Sequence, residues 1–147
     1  MRDDLKVCAA APGDVDAIHA LEQRAFPSPW RREFFESELA NDGRFNLVVR
    51  RGDALIGYLF AMWFFDEMHI NKIAVAEEER RRGVAAKLMD RCVEFARANG
   101  IRMISLEVRR SNGGAQEFYR HLQFRTAYIR PRYYPDGESA VVMTLSL

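Results

Sequence analysis

The chain has 147 residues, 48% of them hydrophobic, which fits one folded domain with a core of its own. Its formal net charge of +1 argues against capture of nucleic acid by a broad basic surface. Its cysteines, Cys8 and Cys92, have no CxxC or zinc-type spacing, so we expect a reducing compartment, no disulfide framework and no metal site.

The N-terminal half predicts a strand, two helices and two more strands. We place the strands at residues 5–9, 45–50 and 54–65, and both helices between the first strand and the second. Apolar residues of the first helix recur on one face: Val15, Ile18, Leu21 and Ala25. The second helix is predicted to begin at Pro29, with Ser28 as its cap, and to end near residues 41–43.

The sequence predicts neither a secretion signal nor a membrane span. Residues 1–4 have no apolar signal core. The longest apolar run, residues 54–65, contains Gly57 and ends at Asp66-Glu67, and it is too short to cross a bilayer as a helix. We therefore expect a cytoplasmic protein with no membrane partner.

The next strand, residues 68–75, changes phase partway along. Its apolar residues fall into two pairs of opposite parity: Met68 with Ile70, and Ile73 with Val75. Because side chains of a regular strand alternate strictly, an extra residue near Asn71-Lys72 would explain the change as a β-bulge, which leaves main-chain groups free to bind another molecule. The alternative is a strand buried on both faces, where parity carries no information.

This strand leads through a charged loop into a long helix, an order that predicts a site for a cofactor phosphate. The loop consists of Glu77-Glu78-Glu79 and Arg80-Arg81-Arg82, and Gly83 after it lets the backbone approach a ligand closely. The first turn of a helix has unpaired N–H groups and a partial positive charge, so it favours an anion and repels the arginines unless a polyphosphate is bound. The alternative is that the glutamates and arginines neutralise one another on a solvated turn.

The C-terminal half adds a helix, a strand, a helix and two strands. The first helix spans residues 82–98 and stops at Asn99-Gly100, and the second is capped by Asn112 and ends near His121. The strands lie at residues 103–108, 124–129 and 140–145, with a turn at Pro135-Asp136-Gly137. The fold class is α/β (α+β), with a mixed sheet of about seven strands flanked by four helices.

The loop and the element order resemble the GNAT acetyltransferase superfamily. The pyrophosphate motif of that superfamily is Gln or Arg, two residues, Gly, one residue, and Gly or Ala, and residues 80–85 match it as Arg-Arg-Arg-Gly-Val-Ala. A bulged strand before this loop is also a feature of the superfamily. The resemblance implies the GNAT fold with a bulged fourth strand.

Within the superfamily the chain resembles the RimI-like enzymes, N-terminal acetyltransferases of a small-subunit ribosomal protein. Four segments carry this resemblance: residues 22–26 with Pro29-Trp30, residues 71–75, residues 106–109 with Ser111-Asn112 and Phe118-Tyr119, and residues 130–135. Two positions depart from the family pattern. Gln123 stands where Gly usually precedes the aromatic residue of the sixth strand, and Gly113-Gly114 replaces the usual helix formers.

The resemblance implies direct transfer of an acetyl group from acetyl-CoA to the N-terminal α-amine of a protein. Glu107 falls on the family's general base, and Tyr119 on the acid that reprotonates the CoA thiolate. Contacts with the cofactor are implied for Ile73, Ala74, Val75, Arg80, Arg81, Arg82, Gly83, Val84, Ala85 and Asn112. Contacts with the acceptor peptide are implied for Phe26, Trp30, Tyr133 and Tyr134. The amide of Ala74 or Val75 is implied as the oxyanion donor.

Without the resemblance the same residues have plainer interpretations. Glu107 is then an exposed residue at a strand end, Tyr119 a core tyrosine in an apolar helix stripe, and Trp30 a packing residue. Other functions also stay open, namely acetylation of a small amine, a non-catalytic acyl-CoA-binding module and, with little support from the charge, nucleic-acid binding. The histidines have no ligand spacing and are expected to be structural or solvated: His19, His69 and His121.

Overall fold

The computed structural model describes residues 4–147, so the expectation that residues 1–4 carry no signal falls largely outside the described residues. Within the described part the strands are β1 (Leu5–Ala9), β2 (Arg44–Arg51), β3 (Ala54–Phe64), β4 (Glu67–Val75), β5 (Met103–Arg109), β6 (Arg125–Arg130) and β7 (Ala140–Ser146). The α-helices are α1 (Val15–Ala25), α2 (Arg32–Ala40), α3 (Val84–Ala98) and α4 (Gly113–His121). Short 3-10 helices cover Pro12–Asp14 and Glu77–Glu79. The order of elements confirms the predicted one.

One mixed sheet with helices on both faces organises the chain. The strand order is β1-β2-β3-β4-β5-β7-β6, and β4 with β5 is the parallel pair, which α3 connects. On one face, Phe35 of α2 packs its ring against Tyr58 and Phe60 of β3, at centroid distances of 5.8 and 5.1 Å. On the other face, Cys92 of α3 contacts Met68 of β4, with 3.3 Å between the sulfur atoms. The core therefore lies on both sides of the central strands.

The pairing of β3 with β4 confirms the predicted bulge. Ala61 of β3 pairs with Ile70, and the residue before Ala61 pairs with Lys72, so Asn71 is the extra residue. Because the bulge reverses the alternation, Ile70 and Ile73 share the face towards α3. Lys72 consequently points to the opposite face, where α1 and α2 pack.

The parallel pair at the centre of the sheet is short. β4 and β5 pair from Glu67 with Met103 to His69 with Ser105, and the two strands then diverge. Among the residues that the structure describes, the β5-facing edge of β4 beyond His69 has no strand partner. The backbone of Ile73–Val75 therefore has N–H and C=O groups that face the gap between β4 and β5, where no strand pairs with them.

Two helix starts differ from the predicted ones. α2 begins at Arg32 rather than Pro29, because the preceding segment is held by Glu22, whose carboxylate accepts a 2.9 Å hydrogen bond from the backbone N–H of Trp30. α3 begins at Val84 rather than at residue 82, because Arg81 and Gly83 have φ values of 66° and 80°, outside the helical region.

The end of α4 explains the family position at which this chain departs from glycine. Gln123 has a φ of 77°, and the backbone N–H of Phe124 donates to the carbonyl of Tyr119 at 3.0 Å. This is the left-handed stop that glycine adopts most easily, here formed by a residue with a side chain.

Two global features of the described residues complete the fold. Within residues 4–147, none of the helices combines the length and the apolar composition that a membrane span needs. Cys8 is exposed, Cys92 is buried, and both are free thiols.

Candidate active site

Glu107 lies where β5 has left β4, on the face that α1 and α2 cover. Ile104, Leu106 and Val108 are buried on the other face of β5, which confirms the predicted alternation along this strand. The side chain of Glu107 is only 12% exposed, so it is not the exposed strand-end residue of the plainer interpretation.

A histidine and an asparagine from β4 fix the position of this carboxylate. His69 Nε2 lies 2.8 Å from Glu107 Oε1, and His69 Nδ1 lies 2.7 Å from Asn71 Oδ1. Both ring nitrogens thus face oxygen atoms, which suits the imidazolium with two donors. Burial lowers the pKa of His69, but the hydrogen bond and negative charge of Glu107, together with the hydrogen bond to Asn71, outweigh it, so the pKa is raised. Arg130 Nη1 lies 3.8 Å from the other Glu107 oxygen.

The sequence patterns predicted no role for His69 at this site. Its contact with Glu107 depends on the register of two parallel strands that are 38 positions apart in the chain. The available signal was the bulge, because Asn71, the extra residue, is the one that contacts the ring of His69.

Tyr119 belongs to the apolar core and also lies close to the site. Its ring packs between Phe118 and Phe124, with centroid distances of 5.2 and 5.6 Å. Burial raises the pKa of Tyr119, and the nearby Tyr134 hydroxyl raises it further. The raised pKa keeps the proton on this hydroxyl at neutral pH, so the hydroxyl has a proton to donate.

The loop between β6 and β7 places two tyrosines beside Glu107. The guanidinium of Arg109 stacks on Tyr134 at 4.2 Å and binds Asp136 at 2.8 Å and Glu138 at 2.9 Å. Tyr133 packs its ring against that of Tyr134 at 5.0 Å. Burial raises the pKa of Tyr134 to about 12, so this hydroxyl is also neutral at physiological pH. The arginine thus ties an aromatic wall to the end of β5.

The segment between α1 and α2, residues 26–31, supplies further aromatic residues near the same sheet face. Trp30 packs against Phe34 at a centroid distance of 3.9 Å, and both are partly buried against the core. The ammonium of Lys72 lies 3.7 Å from the ring centroid of Phe26 and 4.4 Å from that of Trp30. Trp30 is therefore a packing residue, and it also contacts the bulged part of β4.

The arginine loop leaves an open surface at the start of α3. Arg80, Arg81, Arg82 and Gly83 are all exposed. The buried Glu79 pairs with Arg51 at 3.0 Å and only distantly, at 3.7 Å, with Arg82. Within residues 4–147 no carboxylate lies within 4.0 Å of Arg80 or Arg81, so direct pairing with the glutamates of this loop involves only Arg82 among the three arginines.

The backbone of this loop is shaped as an anion site would require. A Cβ atom on Gly83 would meet no protein atom within 4 Å, so the space above this residue is open. Arg81 and Gly83 have positive φ values just before the first turn of the helix, and left-handed residues of this kind occur in the backbone turns that bind anions. Val84 and Ala85 form that first turn, with Val84 buried.

Asn112 takes the predicted capping position. Its Oδ1 accepts a 3.1 Å hydrogen bond from the backbone N–H of Ala115, at the start of α4. No group of three or more His, Cys, Asp or Glu side chains with a geometry for a metal ion occurs in the described range 4–147.

Comparison with known proteins adds three findings. Residues 15–124 match the family described as Acetyltransferase (GNAT) family. A relative from Salmonella typhimurium, ribosomal protein bS18-alanine N-acetyltransferase, is 32% identical over 139 residues, which cover 91% of this chain and 92% of the relative. The crystal structure of the ribosomal-protein-S18-alanine N-acetyltransferase from Escherichia coli superimposes with a TM-score of 0.91 at 29% identity, covering 97% of this chain and 93% of that one.

A more distant structure shares the fold alone. It is Arabidopsis thaliana NAA60 in complex with acetyl-CoA, with a TM-score of 0.89 at 18% identity, covering 97% of this chain and 99% of that one.

Proposed function

The chain belongs to the GNAT acetyltransferase family, and from this we propose that it transfers the acetyl group of acetyl-CoA to the N-terminal α-amine of a protein. The names of its relatives specify an alanine of ribosomal protein bS18, and we propose the N-terminal alanine of bS18 as the acceptor of this chain because the similarity spans nearly its full length. A ribosomal acceptor also implies a cytoplasmic location.

The divergence of β4 from β5 is the observation that carries the proposal. It leaves the backbone of Ile73–Val75 open on the side towards β5, and Glu107 stands on the diverging part of β5. An extended thioester arm would pair with this edge as an added strand does. The thioester would then lie beside a carboxylate that a histidine holds in place.

Glu107 is proposed as the general base that takes a proton from the acceptor amine, through a water molecule. An α-amine has a reference pKa of about 7.7–8.0, so deprotonation near neutral pH needs only a modest base. The amine nitrogen then bonds to the thioester carbon, and the amide of Ala74 or Val75 stabilises the oxyanion. His69 keeps one oxygen of Glu107 hydrogen-bonded, so we assign the proton to the second oxygen, which has only the longer contact of 3.8 Å with Arg130.

Tyr119 is proposed as the general acid. When the tetrahedral intermediate collapses, the carbon–sulfur bond breaks and the CoA thiolate takes a proton. A thiol has a reference pKa of about 8.5, below the raised pKa of Tyr119, so proton transfer from the phenol to the thiolate is uphill, and protonation of the resulting phenolate by solvent completes the step.

The loop at residues 80–85 is proposed to hold the pyrophosphate of acetyl-CoA, with Asn112 as a further contact. The open space at Gly83 lets main-chain N–H groups of the first turn reach the phosphates, while the exposed arginines add charge in a solvent-screened position. We therefore assign most of the specific affinity to the main chain.

The acceptor slot is proposed to lie between Phe26 and Trp30 on one side and Tyr133 and Tyr134 on the other. Such aromatic walls exclude water around an extended peptide terminus, and they supply few unpaired carboxylates for a polyamine. The carboxylate of Glu22 on this face is already paired with Lys72 at 2.9 Å.

The proposal is tested with acetyl-CoA and a peptide that copies the alanine terminus of bS18 from the same organism. Mass spectrometry should locate one acetyl group on the α-amine. The matched control is the same peptide with a blocked α-amine and a free lysine, which should remain unmodified. Acetylation of spermidine or aminoglycosides with higher kcat/KM than every peptide would contradict the proposal, as would binding of acetyl-CoA without turnover on any amine.

A further inference from the structure

A carboxylate and two aromatic rings form a cage for a cation beside the segment between α1 and α2. The carboxylate belongs to Glu22, whose side chain is fully buried. The rings are those of Phe26 and Trp30. Aromatic faces around an alkylammonium group are a general way to bind it, and a carboxylate adds a counter-charge. The chain therefore contains an amine-binding arrangement next to the slot proposed for an amine acceptor.

The chain itself fills this cage. Lys72, which the bulge directs to this face, places its ammonium 2.9 Å from Glu22 Oε2 and over both rings. Its side chain is 13% exposed. Burial lowers the pKa of Lys72 and Arg109 lowers it further, while Glu22 raises it, and the net shift is downward. The lysine is thus held at a desolvation cost that its partners only partly offset.

The cage is connected to the backbone of the acceptor wall. Glu22 Oε2, which binds Lys72, also accepts the N–H of Trp30 at 2.9 Å. Glu22 Oε1 accepts a hydrogen bond from the hydroxyl of Tyr58 in the core. The segment at residues 26–31 is therefore fixed through Glu22, and the charge of Glu22 is balanced by Lys72.

We propose that Lys72 is a positioning residue for the acceptor, because its ammonium fills the cage, holds residues 26–31 as a wall of the slot and keeps the acceptor amine away from Glu22. The inference rests on the proposed function. It assigns a role to a residue that touches neither the thioester nor the proposed acid and base.

Steady-state kinetics of Lys72→Ala test the inference, with Lys6→Ala on the exposed edge strand as the matched control. A misplaced wall costs binding of the acceptor, so KM for the bS18 peptide should rise at least about tenfold. The Kd of acetyl-CoA should stay within about twofold, because the loop at residues 80–85 is untouched. Lys6→Ala should change neither quantity.

Chemical rescue separates positioning from a general structural role. The part of Lys72 that Lys72→Ala deletes corresponds to propylammonium. Adding this ion should therefore raise the kcat/KM of Lys72→Ala at least about threefold, measured as acetylated peptide. Methylammonium should restore less, and 1-propanol, which has no charge, should restore nothing. Equal rescue by 1-propanol would overturn the inference, since it would show that filling the cavity suffices.

Two further outcomes would also overturn it. One is an unchanged peptide KM in a folded variant, and the other is an equal loss of affinity for peptide and acetyl-CoA. If Lys72→Ala does not fold, Lys72→Met keeps the aliphatic stem and is expected to show the same selective rise in peptide KM.

A fluorescence measurement keeps the inference separate from the proposed function. The chain has two tryptophans, so Trp63→Phe leaves Trp30 as the reporter. Adding Lys72→Met should raise acrylamide quenching of Trp30 even if no peptide is ever acetylated. Unchanged quenching would overturn the positioning role, whereas absent acetylation by the unaltered chain would count against the proposed function alone.

Discussion

Replacing Gly83 by glutamine should separate backbone strain from loss of a phosphate site. Gly83 has a φ of 80°, and a Cβ atom at this position would meet no protein atom within 4 Å. The substitution therefore strains the backbone, but its Cβ atom does not clash with the protein. Gln123 already adopts a φ of 77° in this chain, which shows that glutamine tolerates the conformation. The matched control is Gly100→Gln, because Gly100 follows the other end of α3 with a φ of 72° and equally open surroundings.

The two variants should lose similar stability and differ in binding. A left-handed conformation costs a residue with a side chain about 1–2 kcal/mol, which corresponds to a fall in Tm of roughly 2–8 °C for a chain of this size. At Gly83 the side chain also enters the space proposed for pyrophosphate, so the Kd of acetyl-CoA should rise at least tenfold, or about 1.4 kcal/mol. The solvent-exposed Arg81 should contribute less to binding, and Arg81→Ala should weaken the binding free energy of acetyl-CoA by about 0.5–1 kcal/mol.

Isothermal titration calorimetry with acetyl-CoA and thermal unfolding of the same samples give both quantities. Gly100→Gln should bind acetyl-CoA as the unaltered chain does while sharing the loss of Tm. A main-chain phosphate site at Gly83 is refuted if Gly83→Gln and Gly100→Gln bind acetyl-CoA within about twofold of each other, or if Arg81→Ala weakens binding more than Gly83→Gln.

Four further predictions concern the catalytic groups and the fold. Glu107→Gln should lower kcat about 100-fold or more near pH 7 and less at pH 9, where the amine is largely deprotonated, and a uniform loss in the pH–rate profile would remove the base role. Tyr119→Phe should lower kcat about 10- to 100-fold with little change in Tm, since phenylalanine keeps the ring that packs against Phe118 and Phe124, and an unchanged kcat would refute the acid role. His69 has a raised pKa, so its ion pair stabilises the fold below about pH 6.5 and is lost as the pH rises through the raised value. Denaturant unfolding should therefore show a stability gap between the unaltered chain and His69→Gln that narrows as the pH rises, and a constant gap would contradict this. Gln123→Gly should raise the unfolding free energy by about 1 kcal/mol by relieving the left-handed stop, and a loss of stability in denaturant unfolding would exclude strain there.

The order of elements and the bulge could be predicted because both depend on local patterns. Apolar spacing distinguishes helices from strands within a few turns, and the parity change in β4 needs only its own side chains. The same alternation placed Glu107 on the face opposite Leu106 and Val108, which the structure confirms. Sequence patterns within a single element were therefore sufficient to predict the type of each element, the bulge and the faces of the strand.

The predicted helix starts were wrong where groups distant in sequence decide where the helix begins. Ser28 and Pro29 form a good local signal for a cap, but Glu22 takes the N–H of Trp30 and delays α2 to Arg32. A hydrogen bond across eight positions outweighs a capping preference of about 1 kcal/mol because it also satisfies a buried carboxylate.

The contacts of the site could not be read from the sequence because they cross between elements. The pair of His69 and Glu107 depends on how far β4 and β5 run together before they part. The pair of Lys72 and Glu22 joins positions 50 residues apart, through a face that the bulge selects. The resemblance to a family supplied Glu107 and Tyr119, but it gave no reason to single out His69 or Lys72.

Asn71 connects these features, because one inserted residue decides the direction of several side chains. In a regular strand Lys72 would share the face of Ile70 and lie under α3, on the opposite side of the sheet from Glu22. With the insertion, Lys72 turns to Glu22, and the amide of Asn71 itself reaches the ring of His69. The contact of Lys72 that supports the wall of the proposed acceptor slot and the contact of Asn71 with His69, which holds the proposed base, therefore both depend on the same inserted residue.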